Sequence, residues 1–153
     1  MKKVFFIFSL IFLTLTFSAF AQGQKKALPF DKILEIDAKH NLNVAWQYFK
    51  LRKAYKATLL RVEETMVAHP KFSKMDEILY LSGMSSYYLS IGKGNQKINY
   101  AALSKEDKER FAPKRLREDA LAILSKFVED YPKSKYKKKA TKVLKKLQKK
   151  DSP

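Results

Sequence analysis

The fold of this chain is decided by residues 115–147, which read RLREDALAILSKFVEDYPKSKYKKKATKVLKKL. In the first half of this stretch, apolar residues recur at spacings of three and four, which is one apolar stripe along a helix. Pro132 ends that helix, because proline lacks a backbone donor and restricts the residue before it. The stripe consists of Leu116, Ala120, Ile123, Leu124, Phe127, Val128 and Tyr131.

The second half of the stretch predicts another helix, which Ser134 can cap. Its apolar stripe is Tyr136, Ala140, Val143, Leu144 and Leu147. Two amphipathic helices joined by so short an elbow cannot each bury a stripe alone. They must pack on each other and on further helices, as helical repeats do.

A second copy of this pattern lies upstream. Residues 55–70, YKATLLRVEETMVAHP, align with residues 117–132, REDALAILSKFVEDYP, when their final prolines are superposed. Val62 then lies over Leu124, and a similar elbow and helix follow each proline. The matched ends predict that the two elbows are structurally equivalent.

The run FVEDYPKSKYKKKA, residues 127–140, resembles the tetratricopeptide (TPR) repeat and is similar to the BamD-like family of exported TPR proteins. That family includes the lipoprotein subunit of the outer-membrane β-barrel assembly machinery. The resemblance extends from Leu42 to Leu147. It implies an all-α fold of antiparallel helix hairpins forming a short right-handed solenoid with five or six helices. It also implies a role in cell-envelope or outer-membrane protein assembly. The chain departs from the family in having no cysteine for lipidation.

The first 21 residues have the features of a secretory signal peptide. A basic start is followed by an apolar run from Val4 to Phe17 and by small residues at Ala19 and Ala21. We expect cleavage after Ala21, although the run also approaches the length of an uncleaved anchor. The processed protein would be periplasmic, peripheral to the outer membrane and not lipidated.

We expect residues 22–39 to form an N-terminal leader with a short helix and residues 40–150 to form the TPR-like domain. A turn near Lys50–Lys53 would make the first hairpin tight, and one long bent helix is the alternative. Gly83 lies in the middle of a predicted helix, where close helix packing explains it. Residues 92–114 interrupt the repeat, with Ser104 capping a short helix. Loops of this length are usually functional, so we expect a functional appendage outside the repeat core.

The sequence offers no catalytic, cofactor-binding or metal site. It contains no Gly-rich phosphate loop, nucleophile elbow or HExxH motif, and the adjacent acidic residues of each helix point apart. We therefore predict a protein-interaction module that is not an enzyme and needs no cofactor. Its partner would be an envelope assembly component or an extended peptide. Aromatic side chains give large contact areas at low entropic cost. The candidate groove residues are Trp46, Phe49, Tyr80, Tyr87 and Tyr88, for which plain core packing is the alternative.

The C-terminal helix supports a second function. Residues 133–150 hold ten lysines and no acidic residue, in a chain of net charge +17. One side of this helix carries Lys138, Lys142, Lys145, Lys146 and Lys149. These lysines either form a solvated polar face that complements the helix dipole or attract an anionic membrane surface. We do not expect nucleic acid as a partner, because export separates the protein from it and lysine alone reads bases poorly.

Overall fold

The computed structural model describes residues 30–149, and within them the chain is all-α. A π-helical turn, Tyr48–Arg52, follows the first α-helix, and a 3-10 turn, Tyr100–Ala102, precedes the fourth. The six α-helices of this part are α1 (Phe30–Gln47), α2 (Tyr55–Ala68), α3 (Met75–Ser90), α4 (Lys105–Arg110), α5 (Pro113–Asp130) and α6 (Lys137–Lys149).

The long helices pack in chain order. Helix α1 contacts α2, α2 contacts α3, α3 contacts α5, and α5 contacts α6, with the most extensive contact between α3 and α5. This arrangement confirms the predicted all-α, TPR-like fold. The predicted signal peptide, residues 1–21, lies outside the described residues. None of the described helices is long and apolar enough to cross a membrane.

The first hairpin turns where it was expected. Lys53 adopts the left-handed conformation, with φ of 49°, and the Ala54 N–H donates to the Tyr48 carbonyl at 3.0 Å. The tight hairpin is therefore confirmed over the single bent helix. The separate short helix predicted within residues 22–39 is wrong, because α1 runs unbroken from Phe30 to Gln47. No glycine or proline interrupts this segment, and its buried stripe continues through Ala38, Leu42 and Ala45.

The two elbows have the same backbone. His69 has φ −133° and ψ 62°, and Tyr131, 62 residues later, has φ −123° and ψ 61°. The His69 N–H donates to the Thr65 carbonyl at 2.9 Å, and the Tyr131 N–H donates to the Phe127 carbonyl at 3.0 Å. Four further backbone hydrogen bonds, with donors at residues 72, 75, 77 and 78, recur after the same shift. The predicted equivalence of the elbows is confirmed.

Helices α3 and α5 approach each other at Gly83. A Cβ atom at this position would lie 2.6 Å from Leu124 Cγ and 2.7 Å from Leu124 Cδ2, far inside van der Waals contact. Leu124 itself is fully buried. The explanation of Gly83 by close helix packing is confirmed.

The segment between α3 and α5 is part of the core, which corrects the prediction of an appendage. Ser104 does cap α4, accepting from the Asp107 N–H at 3.1 Å. Phe111, however, is 1% exposed, and Ile98 and Leu103 pack against the core. Phe111 belongs to the same buried core cluster as residues of the repeat helices, so its burial ties the segment to them.

The same segment is also held by polar contacts to the first hairpin. The Asn95 N–H donates to the Lys53 carbonyl at 3.1 Å, and the Ala57 N–H donates to Gln96 Oε1 at 3.1 Å. The second contact satisfies a donor in the first turn of α2 that has no partner inside the helix.

Candidate partner-binding site

All five predicted groove residues belong to one connected set of aromatic rings, which we call the aromatic strip. Trp46 contacts Phe49, with ring centroids 5.8 Å apart, and Phe49 contacts Tyr88 at 5.9 Å. Tyr80 stacks on Tyr136 at 4.5 Å. The strip consists of Trp46, Phe49, Tyr55, Tyr80, Tyr87, Tyr88, Phe127, Tyr131 and Tyr136.

Two of the five candidates cannot face a partner. Tyr80 is 1% exposed and Phe49 is 8% exposed, so both are core residues. Their aromatic character alone predicted a place in the groove, but the rings around them leave no access. Trp46, Tyr87 and Tyr88 are half-buried and keep part of their surface open. The accessible part of the strip therefore contains three of the five predicted residues.

Tyr131 and Tyr136 are half-buried members of the strip that the sequence analysis treated only as stripe residues. The Tyr136 ring lies 5.3 Å from Trp46 across 90 positions of sequence. Helical periodicity shows that Tyr136 faces other helices, but it does not show which residue it meets. Only the tertiary structure, which places the residue before α6 against α1 and α3, brings Tyr136 to Trp46.

Glu77 on α3 fixes the two rings at this end of the strip. Its Oε2 atom accepts from Trp46 Nε1 at 2.7 Å and from the Tyr136 hydroxyl at 3.0 Å. Its Oε1 atom lies 3.8 Å from Lys74 Nζ and 3.9 Å from Lys135 Nζ. Only 13% of the Glu77 side chain is exposed. Both ring donors are thus satisfied internally, and the rings are held in place before any partner arrives.

Lysines lie over the accessible rings. Lys50 Nζ is 4.2 Å from the Trp46 ring centroid, Lys135 Nζ is 5.0 Å from that of Tyr136, and Lys93 Nζ is 5.9 Å from that of Tyr88. Cations over aromatic faces at these distances are attracted by the ring quadrupole. The strip therefore offers apolar faces with positive charges at its border.

Burial disfavours the charged form of four tyrosines in the strip. Burial, with a smaller effect of the Tyr88 phenol, raises the pKa of Tyr80 to about 12. Burial also raises the pKa of Tyr136, and the hydrogen bond to Glu77 raises it further. Burial raises the pKa of Tyr55 and of Tyr88. These four phenols thus stay neutral across the physiological range.

The five predicted lysines of α6 are all exposed, and we call them the lysine face: Lys138, Lys142, Lys145, Lys146 and Lys149. The structure brings three of them, Lys138, Lys142 and Lys145, to a shallow cleft of about 600 Å³. The cleft lies between α6 and the preceding elbow, and its other lining residues are Pro132, Ser134, Lys135, Lys137 and Thr141.

A second cleft, of about 610 Å³, lies where α2, α4 and α5 meet. Its acidic residues include Glu63, which pairs with Arg110, and Asp119, whose Oδ1 lies 3.2 Å from Arg115 Nε. Burial raises the pKa of Glu63 and outweighs the lowering by Arg110. The Glu63–Arg110 pair thus links α2 to the segment before α5, whereas the Asp119–Arg115 pair lies within α5. Among the described residues, no group of three or more His, Cys, Asp or Glu side chains could hold a metal ion.

A protein-family model matches residues 29–150, and its description is "YfiO: Outer membrane lipoprotein". The match covers nearly all of the described helices and begins just before α1. No curated protein and no solved structure matches the chain.

Proposed function

The chain belongs to the YfiO family of outer membrane lipoproteins, and on this basis we propose that it is a non-enzymatic interaction module of the cell envelope. Its task is outer-membrane protein assembly, and it works by holding a protein partner on the aromatic strip. The partner is an assembly component or an extended peptide. Family membership supports a role in outer-membrane protein assembly, and the accessible rings of the aromatic strip support the proposed mode of partner binding.

The observation that carries this proposal is the pair formed by Trp46 and Tyr136. Two large rings from distant parts of the chain lie 5.3 Å apart, and both donate to the same half-buried carboxylate of Glu77. Aromatic residues that are half-buried and rigid lose little entropy when a partner covers them, and such residues dominate binding energy in protein interfaces. Both residues also keep an open surface on which a partner can pack.

The lysines at the border of the strip suggest what the partner carries. Lys50, Lys93 and Lys135 lie over the accessible rings, so carboxylates beside the partner's apolar residues would meet positive charge. Such charges raise association rates and select partners more than they raise affinity. The proposed partner segment is thus apolar or aromatic, with acidic residues nearby.

Photocrosslinking in the native envelope tests the proposal. A photoreactive phenylalanine analogue replaces Tyr87, which is half-buried at one end of the strip and is not bonded to Glu77. A matched control carries the analogue at Val67, which is 85% exposed and outside the strip. We expect strong crosslinks from position 87 to an outer-membrane precursor or assembly component. Equal crosslinking from both positions would contradict the proposal.

A second measurement uses Trp46→Ala, which removes a half-buried ring. We expect at least a tenfold loss of affinity for the crosslinked partner, because central aromatic residues contribute about 2 kcal/mol or more to an interface. Val67→Ala is the control and should bind as the wild type does. Circular dichroism of both variants checks that the helices remain.

A further inference from the structure

The lysine face occupies positions at which α3 holds the helices that follow it. With the elbows superposed by their shift of 62 residues, Lys142 corresponds to Tyr80 and Lys145 to Gly83. Tyr80 stacks on Tyr136, the residue before α6, and the Leu124 side chain of α5 packs against Gly83. Lysines therefore stand in the second copy where the first copy makes its main helix contacts.

This replacement ends the array of helices, since a terminal repeat needs a polar outer face. Polar residues of either sign would serve that purpose, and protein surfaces normally mix both signs. Residues 133–150 instead hold ten lysines and no acidic residue. The single sign of this charge goes beyond what ending the array requires.

The charge is not neutralised within the part of the chain that the structure describes. Of the lysines from residue 133 to residue 149, only Lys135 lies within ion-pair distance of a described carboxylate, that of Glu77. The hydroxyl groups of the cleft are already used, because Ser134 donates to Asp76 and Thr141 donates to the Lys137 carbonyl. The ammonium groups are thus the donors that the cleft offers to an anion.

The apolar side of α6 is unavailable for binding. Ala140, Val143, Leu144 and Leu147 are buried against the rest of the protein. The helix cannot insert into a bilayer as an amphipathic anchor does. It also has no exposed apolar residue to anchor a partner helix, which a helix-binding groove requires. Contact through this side must therefore be electrostatic and made with a surface rich in negative charge.

We propose that the lysine face docks the protein on the surface of a bilayer containing anionic phospholipids. Headgroup phosphates occupy the cleft of Lys138, Lys142 and Lys145, while Lys146 and Lys149 extend the contact along the helix. Lipoproteins are acylated on cysteine, and these 153 residues contain none. The lysine face provides a membrane contact that needs no thiol.

The test measures partition of the full chain onto vesicles by sedimentation. Vesicles of phosphatidylethanolamine with phosphatidylglycerol are compared with vesicles of phosphatidylcholine. The test variant is K138Q/K142Q/K145Q. The control variant is K32Q/K39Q/K108Q, which removes the same charge from exposed lysines outside α6. All three proteins share residues 1–29, so any affinity of that segment for vesicles is common to them.

We expect the wild type to bind the anionic vesicles and the test variant to bind about 100-fold more weakly, at about fivefold for each lysine. The control variant should lose much less affinity for the anionic vesicles. Binding should weaken strongly as the Debye length falls from about 10 Å at 0.1 M salt to about 3 Å at 1 M salt. Unchanged thermal unfolding of both variants shows that the loss is not misfolding.

Three results would overturn the proposal. The first is equal loss in the test and control variants, which would mean that net charge alone attracts the protein. The second is wild-type protein that binds phosphatidylcholine vesicles as well as anionic vesicles, or that binds neither. The third is saturation of the face by inorganic phosphate or by a polyglutamate peptide with no binding to anionic vesicles, which would assign it to a free anion or to an acidic protein.

Discussion

The two elbows share a backbone but differ in how side chains anchor them. The first elbow, residues 69–75, inserts Phe72 into the core, where it is 5% exposed. The corresponding residue of the second elbow, residues 131–137, is Ser134, which donates to Asp76 at 2.7 Å. The proline and its flanking residues set the backbone in both places. The neighbouring helices decide whether the elbow is held by apolar packing or by a hydrogen bond.

Each elbow is nevertheless tied to acidic residues of an earlier helix. In the first, His69 Nε2 lies 2.8 Å from Asp37 Oδ2, and the Ser73 N–H donates to Glu35 Oε2 at 3.2 Å. In the second, Asp76 and Glu77 play the corresponding part. His69 is thus a structural residue of the first elbow. In this chain, the two copies therefore share the backbone geometry of the elbow but stabilise it with different side-chain contacts.

The largest expected effect on the free energy of unfolding distinguishes Phe72, which anchors the first elbow, from Ser134, which anchors the second. Phe72→Ala should lower the free energy of unfolding by about 4 kcal/mol, because it leaves a cavity in the core. Ser134→Ala should lower it by about 1 kcal/mol, since only a half-buried hydrogen bond is lost. Urea denaturation of both variants measures the difference. Equal losses would show that the two elbows are anchored alike.

The equivalent core positions of the two copies should respond in parallel. Leu124→Ala should cost about 3 kcal/mol and Val62→Ala about 2 kcal/mol, because both side chains are fully buried and leucine loses more volume. The same denaturation experiment checks this pair. If either variant were as stable as the wild type, that copy's stripe would not face the core.

Substitutions at Gly83 and at its counterpart Lys145 compare a position covered by another helix with one that is exposed. Gly83→Ala should cost about 1–2 kcal/mol, because overpacking against Leu124 exceeds the gain in helix propensity. Lys145→Ala should change stability by less than about 0.5 kcal/mol, since this position is exposed and none of the described helices covers it. Thermal unfolding resolves the two. A stabilised Gly83→Ala variant would show that α3 and α5 can move apart freely.

The smallest effect concerns the outer sides of α2 and α5. Glu63 is covered by Arg110 of α4, whereas its counterpart Ser125 is exposed. Burial raises the pKa of Glu63 above its ordinary value of 4.5. The folded protein therefore binds this proton more tightly than the unfolded chain, and the resulting stabilisation is present at pH below 4.5 and is lost as pH rises through the folded-state pKa.

Comparison of the wild type with Glu63→Gln isolates this titration, because other groups cancel. We expect the stability of the wild type relative to the variant to fall as pH increases from about 4 to 7. Ser125→Ala is the control and should show no such dependence. A relative stability that increased with pH would mean that the pairing with Arg110 outweighs the burial.

The sequence by itself determined the features that depend on local periodicity and backbone chemistry. The apolar stripes predicted the helices, the prolines located both elbows, and the register of 62 residues predicted which backbone groups correspond. Gly83 and Ser104 were interpreted correctly because a missing side chain and a capping hydroxyl act on their immediate surroundings. All of these signals lie within a few residues of the structure that they specify.

Only the tertiary structure decided what distant residues do together. It buried Phe49 and Tyr80 and left Trp46 open, and it brought Tyr136 to Trp46 through Glu77. It also placed Phe111 in the core, although its segment has the composition of a surface insertion. The physical reason is that periodicity shows which side of a helix is apolar but not which other element covers it. Which side chains are buried, and which of them contact each other, depends on how whole helices pack, and a short stretch of sequence does not specify this.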